Sequence, residues 1–88
     1  MSLNASQTKN VQPKEKDFKL ADEKGMFLLV KPTGRKYWRM QYRFAGKQKT
    51  LALGVYPEVS LKEAREKRDE ARKLLSDHID PSSHKLST

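Results

Sequence analysis

The chain has no cysteine among its 88 residues, which excludes a disulfide framework and any zinc site built on thiolates. His78 and His84 stand six positions apart, but as a metal pair they lack the partners that a four-coordinate site needs. No cofactor or metal is therefore expected. No apolar run approaches the roughly 20 residues of a membrane span. Residues 1–10 also lack the apolar stretch of a secretory signal, so a cytoplasmic protein is expected. Aliphatic and aromatic residues are sparse at the N-terminus, and the packed part is expected to be shorter than the chain. One domain with a small core is what this length allows. The most telling absence is of acid: from Lys24 to Pro57 there is no Asp or Glu.

Base fills that gap. Between Lys31 and Lys49 lie seven basic residues, Lys31, Arg35, Lys36, Arg39, Arg43, Lys47 and Lys49. The excess is local rather than general. Residues 1–59 carry twelve Lys and Arg against five Asp and Glu, residues 60–80 carry six of each, and Lys85 supplies the remainder of the +8. Charge of one sign gathered beside one element is the footprint of a polyanion-binding face.

That element is the run from Tyr37 to Phe44, which alternates strictly. Trp38, Met40, Tyr42 and Phe44 fall on one face of a strand, and Tyr37, Arg39, Gln41 and Arg43 on the other. A slip of one residue would bury two arginines and expose Trp38, so the assignment of faces is well determined. Around it the spacing predicts an apolar strand from Met26 to Lys31, a break at Pro32-Thr33-Gly34-Arg35, and a hairpin at Ala45-Gly46-Lys47. A third strand from Gln48 to Val55 places Leu51 and Leu53 on one face and Gln48, Thr50 and Ala52 on the other. Asp22-Glu23-Lys24-Gly25 reads as a turn.

Ser60 and Glu63 form a capping box that opens a helix reaching about Ser76 or Asp77. Leu61, Ala64, Arg68, Ala71, Leu75 and Ile79 make its apolar stripe. Arg68 interrupts that stripe, with a stem that can pack and a charge that reaches the edge. Lys62/Glu66, Glu63/Lys67, Arg65/Asp69 and Asp69/Lys73 are opposite charges at helical spacing, so the helix is expected to neutralise itself.

The expected fold is α+β: a three-stranded antiparallel sheet packed on one C-terminal α-helix. It follows an irregular N-terminal segment in which Asn4 could cap a short helix to Asn10 and Phe18-Lys19-Leu20 could add a short strand. The expected organisation is an extension over 1–17, a domain over 18–80 and a linker from 81 to 88.

A sheet backed on one side by a helix leaves its other face free, and the major groove, about 12 Å wide, admits such an element. Arginine pairs two donors with O6 and N7 of guanine, and glutamine pairs with adenine. Arg39, Gln41 and Arg43 are therefore the base-reading candidates. Tyr37 and Thr50 could bond phosphate or touch a thymine methyl, with Gln48 beside them. Lys31, Arg35, Lys36, Lys47 and Lys49, at strand ends and hairpins, could reach the flanking backbones.

Three stretches carry a resemblance: Gly25-Met26-Phe27-Leu28-Leu29-Val30-Lys31-Pro32, Trp38-Arg39-Met40-Gln41-Tyr42-Arg43-Phe44 with Gly46-Lys47, and the run LALGVYPEVSLKEAR from Leu51 to Arg65, with Ile79-Asp80-Pro81 after it. The chain resembles the N-terminal arm-type DNA-binding domain of phage and pathogenicity-island integrases of the tyrosine recombinase class. The resemblance implies a three-stranded sheet on a C-terminal helix and binding of duplex DNA at arm sites that flank a recombination core. It also implies a bacterial, nucleoid-associated protein that works with other integrase protomers and with an excision or bending factor. Members often carry basic residues where this chain has Leu29, Gln41, Gln48 and Thr50, and a small residue where it has Arg68. The tyrosine nucleophile of the class works within a cluster of basic and acid–base groups from a separate domain. Tyr37, Tyr42 and Tyr56 stand in no such cluster, so this chain is expected to bind DNA without cutting it. The competing readings are a free-standing sheet-type transcription regulator of the plant AP-two-like kind, an RNA binder and a protein-interaction module.

Overall fold

The computed structural model describes residues 3–82. His84 and most of the linker expected over 81–88 lie outside them. In chain order the elements are helix α1 (Ala5–Asn10), strands β1 (Phe18–Ala21), β2 (Met26–Val30), β3 (Lys36–Phe44) and β4 (Lys47–Tyr56), and helix α2 (Leu61–Ser76). The sheet is an antiparallel meander in the order β1-β2-β3-β4. It has four strands where three were expected: the short alternating run at Phe18 forms a full edge strand, registering Phe18 with Val30 and Leu20 with Leu28. Four residues give little sequence signal, and pairing with β2 supplies what propensity does not.

The α2-facing side of the sheet holds the core. Trp38, Leu28 and Val30 are wholly buried, and Met26, Met40, Leu53 and Tyr42 nearly so. Leu61, Ala64 and Ala71 of α2 close over them. The Trp38 indole donates its N–H to the Val59 carbonyl at 2.7 Å, so the largest side chain of the core is satisfied as well as buried. The alternation holds along β3, and in β4 a bulge resets it. Trp38 pairs with Gly54 and Arg39 with Ala52, leaving Leu53 unpaired. The extra residue keeps Leu53 in the core and still turns Tyr56 inward and Val55 outward. The strand thus runs one residue past the expected Val55. Gly54 sits at φ +145°, and a Cβ there would lie 2.4 Å from Val59 Cγ2; the bulge accepts only glycine.

The N-terminal segment joins the core. Asn4 caps α1 through a reciprocal box with Gln7, Leu3 is buried in the core cluster and Thr8 is inaccessible. What fixes Leu3 is a polar cluster. The side chain of Asp22, fully buried, accepts the Leu3 amide at 2.8 Å, Arg65 Nε and Nη2 at 3.1 and 3.0 Å, and Arg68 Nη1 at 3.3 Å. Arg65 also donates to the Leu3 carbonyl at 2.7 Å. Burial pushes the Asp22 carboxyl up, but the Arg65 hydrogen bond, the Leu3 amide and the charge of Arg65 outweigh it and hold the group below its ordinary value. Arg68 does not send its charge to the edge. Only 6% of its side chain is exposed, because Asp22 brings a counter-charge to it from the β1–β2 turn.

The four expected charge pairs along α2 do not close to ion-pair distance. Arg65 and Arg68 turn to Asp22, and Asp69 pairs with Arg68 at 3.0 Å. The helix ends in a Schellman arrangement. His78 takes φ +60°, its amide bonds the Leu75 carbonyl and that of Ile79 the Leu74 carbonyl. Ile79 is thereby turned off the stripe and is 39% exposed.

A second polar cluster ties the chain after α2 to the sheet. Asp80 accepts the Tyr42 hydroxyl at 2.7 Å, the Ser82 amide and hydroxyl at 3.0 and 2.8 Å, and the Lys49 ammonium. The Lys49 hydrogen bond first, then that of Tyr42, hold its carboxyl far below the usual carboxylate range. The stability this clamp contributes is complete above the unfolded carboxylate value, about 3.9, and is lost as the pH falls below it. Asp80→Asn is expected to flatten the acid limb of a stability–pH curve measured by urea unfolding; an unchanged acid limb would show that the clamp contributes nothing.

The β3–β4 hairpin turns on Ala45 and Gly46, at φ +53° and +78°. Two left-handed residues suit Asn-Gly, and alanine is strained there. Ala45→Asn is expected to stabilise the domain by about 0.5–1 kcal/mol, read as a raised urea midpoint with an unchanged slope.

Candidate nucleic-acid interface

The face of the sheet away from α2 is laid out by the register in four cross-strand rows. Lys19, Leu29, Tyr37 and Val55 form the first, and Ala21, Phe27, Arg39 and Ala52 the second. Gln41 and Thr50 form the third, and Arg43 and Gln48 the fourth. None of these side chains is acidic. Gln41, Arg43, Gln48 and Thr50 are exposed, and Tyr37 and Arg39 half-buried. The Arg39 guanidinium lies 5.6 Å from the Tyr37 ring centroid, a stacking that limits its rotamers while leaving its donors free. Twist apart, the face is a stiff lattice that presents two guanidinium groups and two amides at fixed spacing.

The structure thus brings together Tyr37, Arg39, Gln41, Arg43, Gln48 and Thr50. Lys31 and Arg35 stand at the β2–β3 turn, where the Lys31 ammonium bonds Asp17 at 2.8 Å, and Lys47, registered with Phe44 and so of core-side parity, is exposed at the tip of the β3–β4 hairpin. Lys36 and Lys49 project from the other side of the sheet. Lys36 has the parity of Trp38, and its ammonium donates to the Thr8 and Lys9 carbonyls at 2.8 and 3.3 Å. Lys49 is registered with Tyr42 and bonds Asp80, which raises its pKa. Both are occupied in holding the terminal segments to the sheet.

Sequence reasoning missed Lys19, which extends the cationic face across β2 with its ammonium 4.8 Å from the Phe27 ring centroid. The signal was present: if Phe18 and Leu20 face the core, Lys19 must face outward. The Tyr42 hydroxyl is engaged by Asp80; burial first, and that bond after it, push its pKa up. Among the described residues no cluster of His, Asp or Glu could hold a metal ion, and no helix is long and apolar enough to cross a membrane.

The chain is 52% identical over 83 residues, 92% of its length, to the integrase of Enterobacteria phage P4. It is 65% identical over 60 residues, 68% of its length, to the putative protein IntB of Escherichia coli K12. It is 42% identical over 86 residues, 98% of its length, to the prophage integrase IntS of the same strain. The matches cover 19%, 15% and 22% of those proteins, so the chain spans at most about a fifth of their length. The model of the Arm DNA-binding domain matches residues 3–88, and the chain belongs to that family.

Proposed function

We propose that this chain binds duplex DNA at arm-type sites with the outer face of its sheet, as the N-terminal domain of a site-specific integrase of a phage or genomic island. The observation that carries the reading is the four-row face: an acid-free lattice holding Arg39, Gln41 and Arg43 where a major groove can receive it. The integrase relatives support the parent activity, a tyrosine recombinase acting on DNA in the bacterial cytoplasm. Residues 18–80 carry the binding face, with Leu3 and Val11 of the N-terminal segment packed into their core, and a linker from 81 leads to core-binding and catalytic regions that supply the chemistry. Other protomers and an excision or bending factor complete the assembly.

Arg39, Gln41 and Arg43 read bases. Lys19, Lys31, Arg35 and Lys47, around the rim, neutralise phosphate. The test is selection of bound duplexes from a random library, with single-stranded DNA and RNA as controls. A defined duplex motif is expected, and equal recovery of single strands would contradict the reading. Four phosphate contacts give a slope of log K against log salt between about −3 and −4, at about −0.9 per phosphate; a slope near zero would exclude duplex binding by this face.

A further inference from the structure

At the end of the outer face where β1 turns into β2, a pocket of about 240 Å³ opens between Lys19, Ala21, Asp22, Gly25, Met26, Phe27 and Gln41. We propose that it takes the 5-methyl group of a thymine next to the base read by Gln41, and so makes the domain specific for a thymine that no hydrogen bond identifies. The inference rests on the reading of the outer face as the DNA-binding surface.

The pocket is apolar below and polar at its mouth. Phe27 is 8% exposed and lies on the outer face, away from the core, in the same cross-strand row as Ala21 and Arg39. The ammonium of Lys19 lies over its ring, 4.8 Å from the centroid, on an exposed side chain long enough to leave the ring for a phosphate. The backbone of Gln41 is held in place: its amide donates to the Gly25 carbonyl at 2.9 Å, which prolongs the β2–β3 pairing by one bond and fixes the point at the rim from which its exposed side chain departs. A glutamine that pairs with adenine beside an apolar recess is suited to the major-groove edge of A·T steps. Adenine offers N6 and N7 there, and thymine offers the one apolar group in that groove. The cationic surroundings of Lys19 and Arg39 draw the duplex against the recess, and the carboxylate of Asp22, the acidic residue of its lining, is fully buried and paired with Arg65 and Arg68.

The test uses a duplex recovered from the library selection, with its thymines replaced one at a time by uracil. Uracil pairs like thymine and keeps O4, so only the methyl is lost. At one position, adjacent to the adenine whose preference disappears in Gln41→Ala, uracil is expected to weaken binding about fourfold, the effect of one buried methyl. In Ala21→Leu the new side chain fills the recess, and thymine and uracil should bind alike at that position. Ala21 is exposed, so this change spares the core. Equal binding of all uracil duplexes, or a thymine preference that survives Ala21→Leu, would overturn the inference. Arg39→Ala separates the two levels. If it relaxes base preference while no uracil position matters, the pocket assignment fails alone. If it leaves base preference intact, the outer-face reading fails and the pocket assignment with it.

Discussion

Asp22→Ala is expected to cost about 3–5 kcal/mol, the loss typical of removing one partner from a buried ion pair. The carboxylate is inaccessible, and three groups depend on it: the Leu3 amide, Arg65 and Arg68. Arg65 can turn to water, since 35% of its side chain is exposed. Arg68 cannot, and would be left with Asp69 as its charged partner. Against a total of about 5–15 kcal/mol for a native domain, such a loss removes a large share of the stability and, at the low end of that range, unfolds much of the population at 37 °C. Adding Arg68→Leu to Asp22→Ala should recover part of it, because the orphaned charge is then gone. Urea unfolding of the three proteins measures both effects. A loss under about 1 kcal/mol, or a double variant weaker than the single one, would show that Asp22 does not hold the N-terminal segment and α2 together.

The second large effect concerns recognition. Arg39→Ala and Arg43→Ala should each lose about 1–3 kcal/mol on the selected duplex and relax base preference at one position. A random duplex should be affected much less. Lys47→Ala should weaken all duplexes alike, since a phosphate contact carries no sequence information. Lys36→Ala should change DNA affinity little and stability more, because its ammonium is held by α1 on the far side of the sheet. If arginine and lysine variants lower specific and random binding by one common factor, Arg39 and Arg43 do not read bases.

The core face, the outer face and the helix were legible because each rests on local periodicity. Trp38 to Phe44 alternates without exception, and Ser60 with Glu63 marks the start of α2 within one residue. Most of the exceptions are long-range. β1 becomes a strand only by pairing with Val30 and Leu28. Asp22 looks like an ordinary turn residue until Arg65 and Arg68, more than forty positions later, close on it. The charge of Lys36 and Lys49 suits flanking contacts, but the parity of Lys36 with Trp38 and the pairing of Lys49 with Tyr42, both local signals, put them on the core side. The sequence carries no mark that Asp80 collects Tyr42, Lys49 and Ser82.

In the proposed mode of binding, DNA meets the sheet and not the helix. The decisive experiment titrates a selected duplex into the isotope-labelled protein and follows backbone amide shifts. The largest changes are expected on Arg39 to Thr50, with Lys19 and Ala21 joining them, while residues 61–77 stay quiet. Shifts concentrated on 61–77 with Arg39 to Thr50 unmoved would contradict this mode of binding.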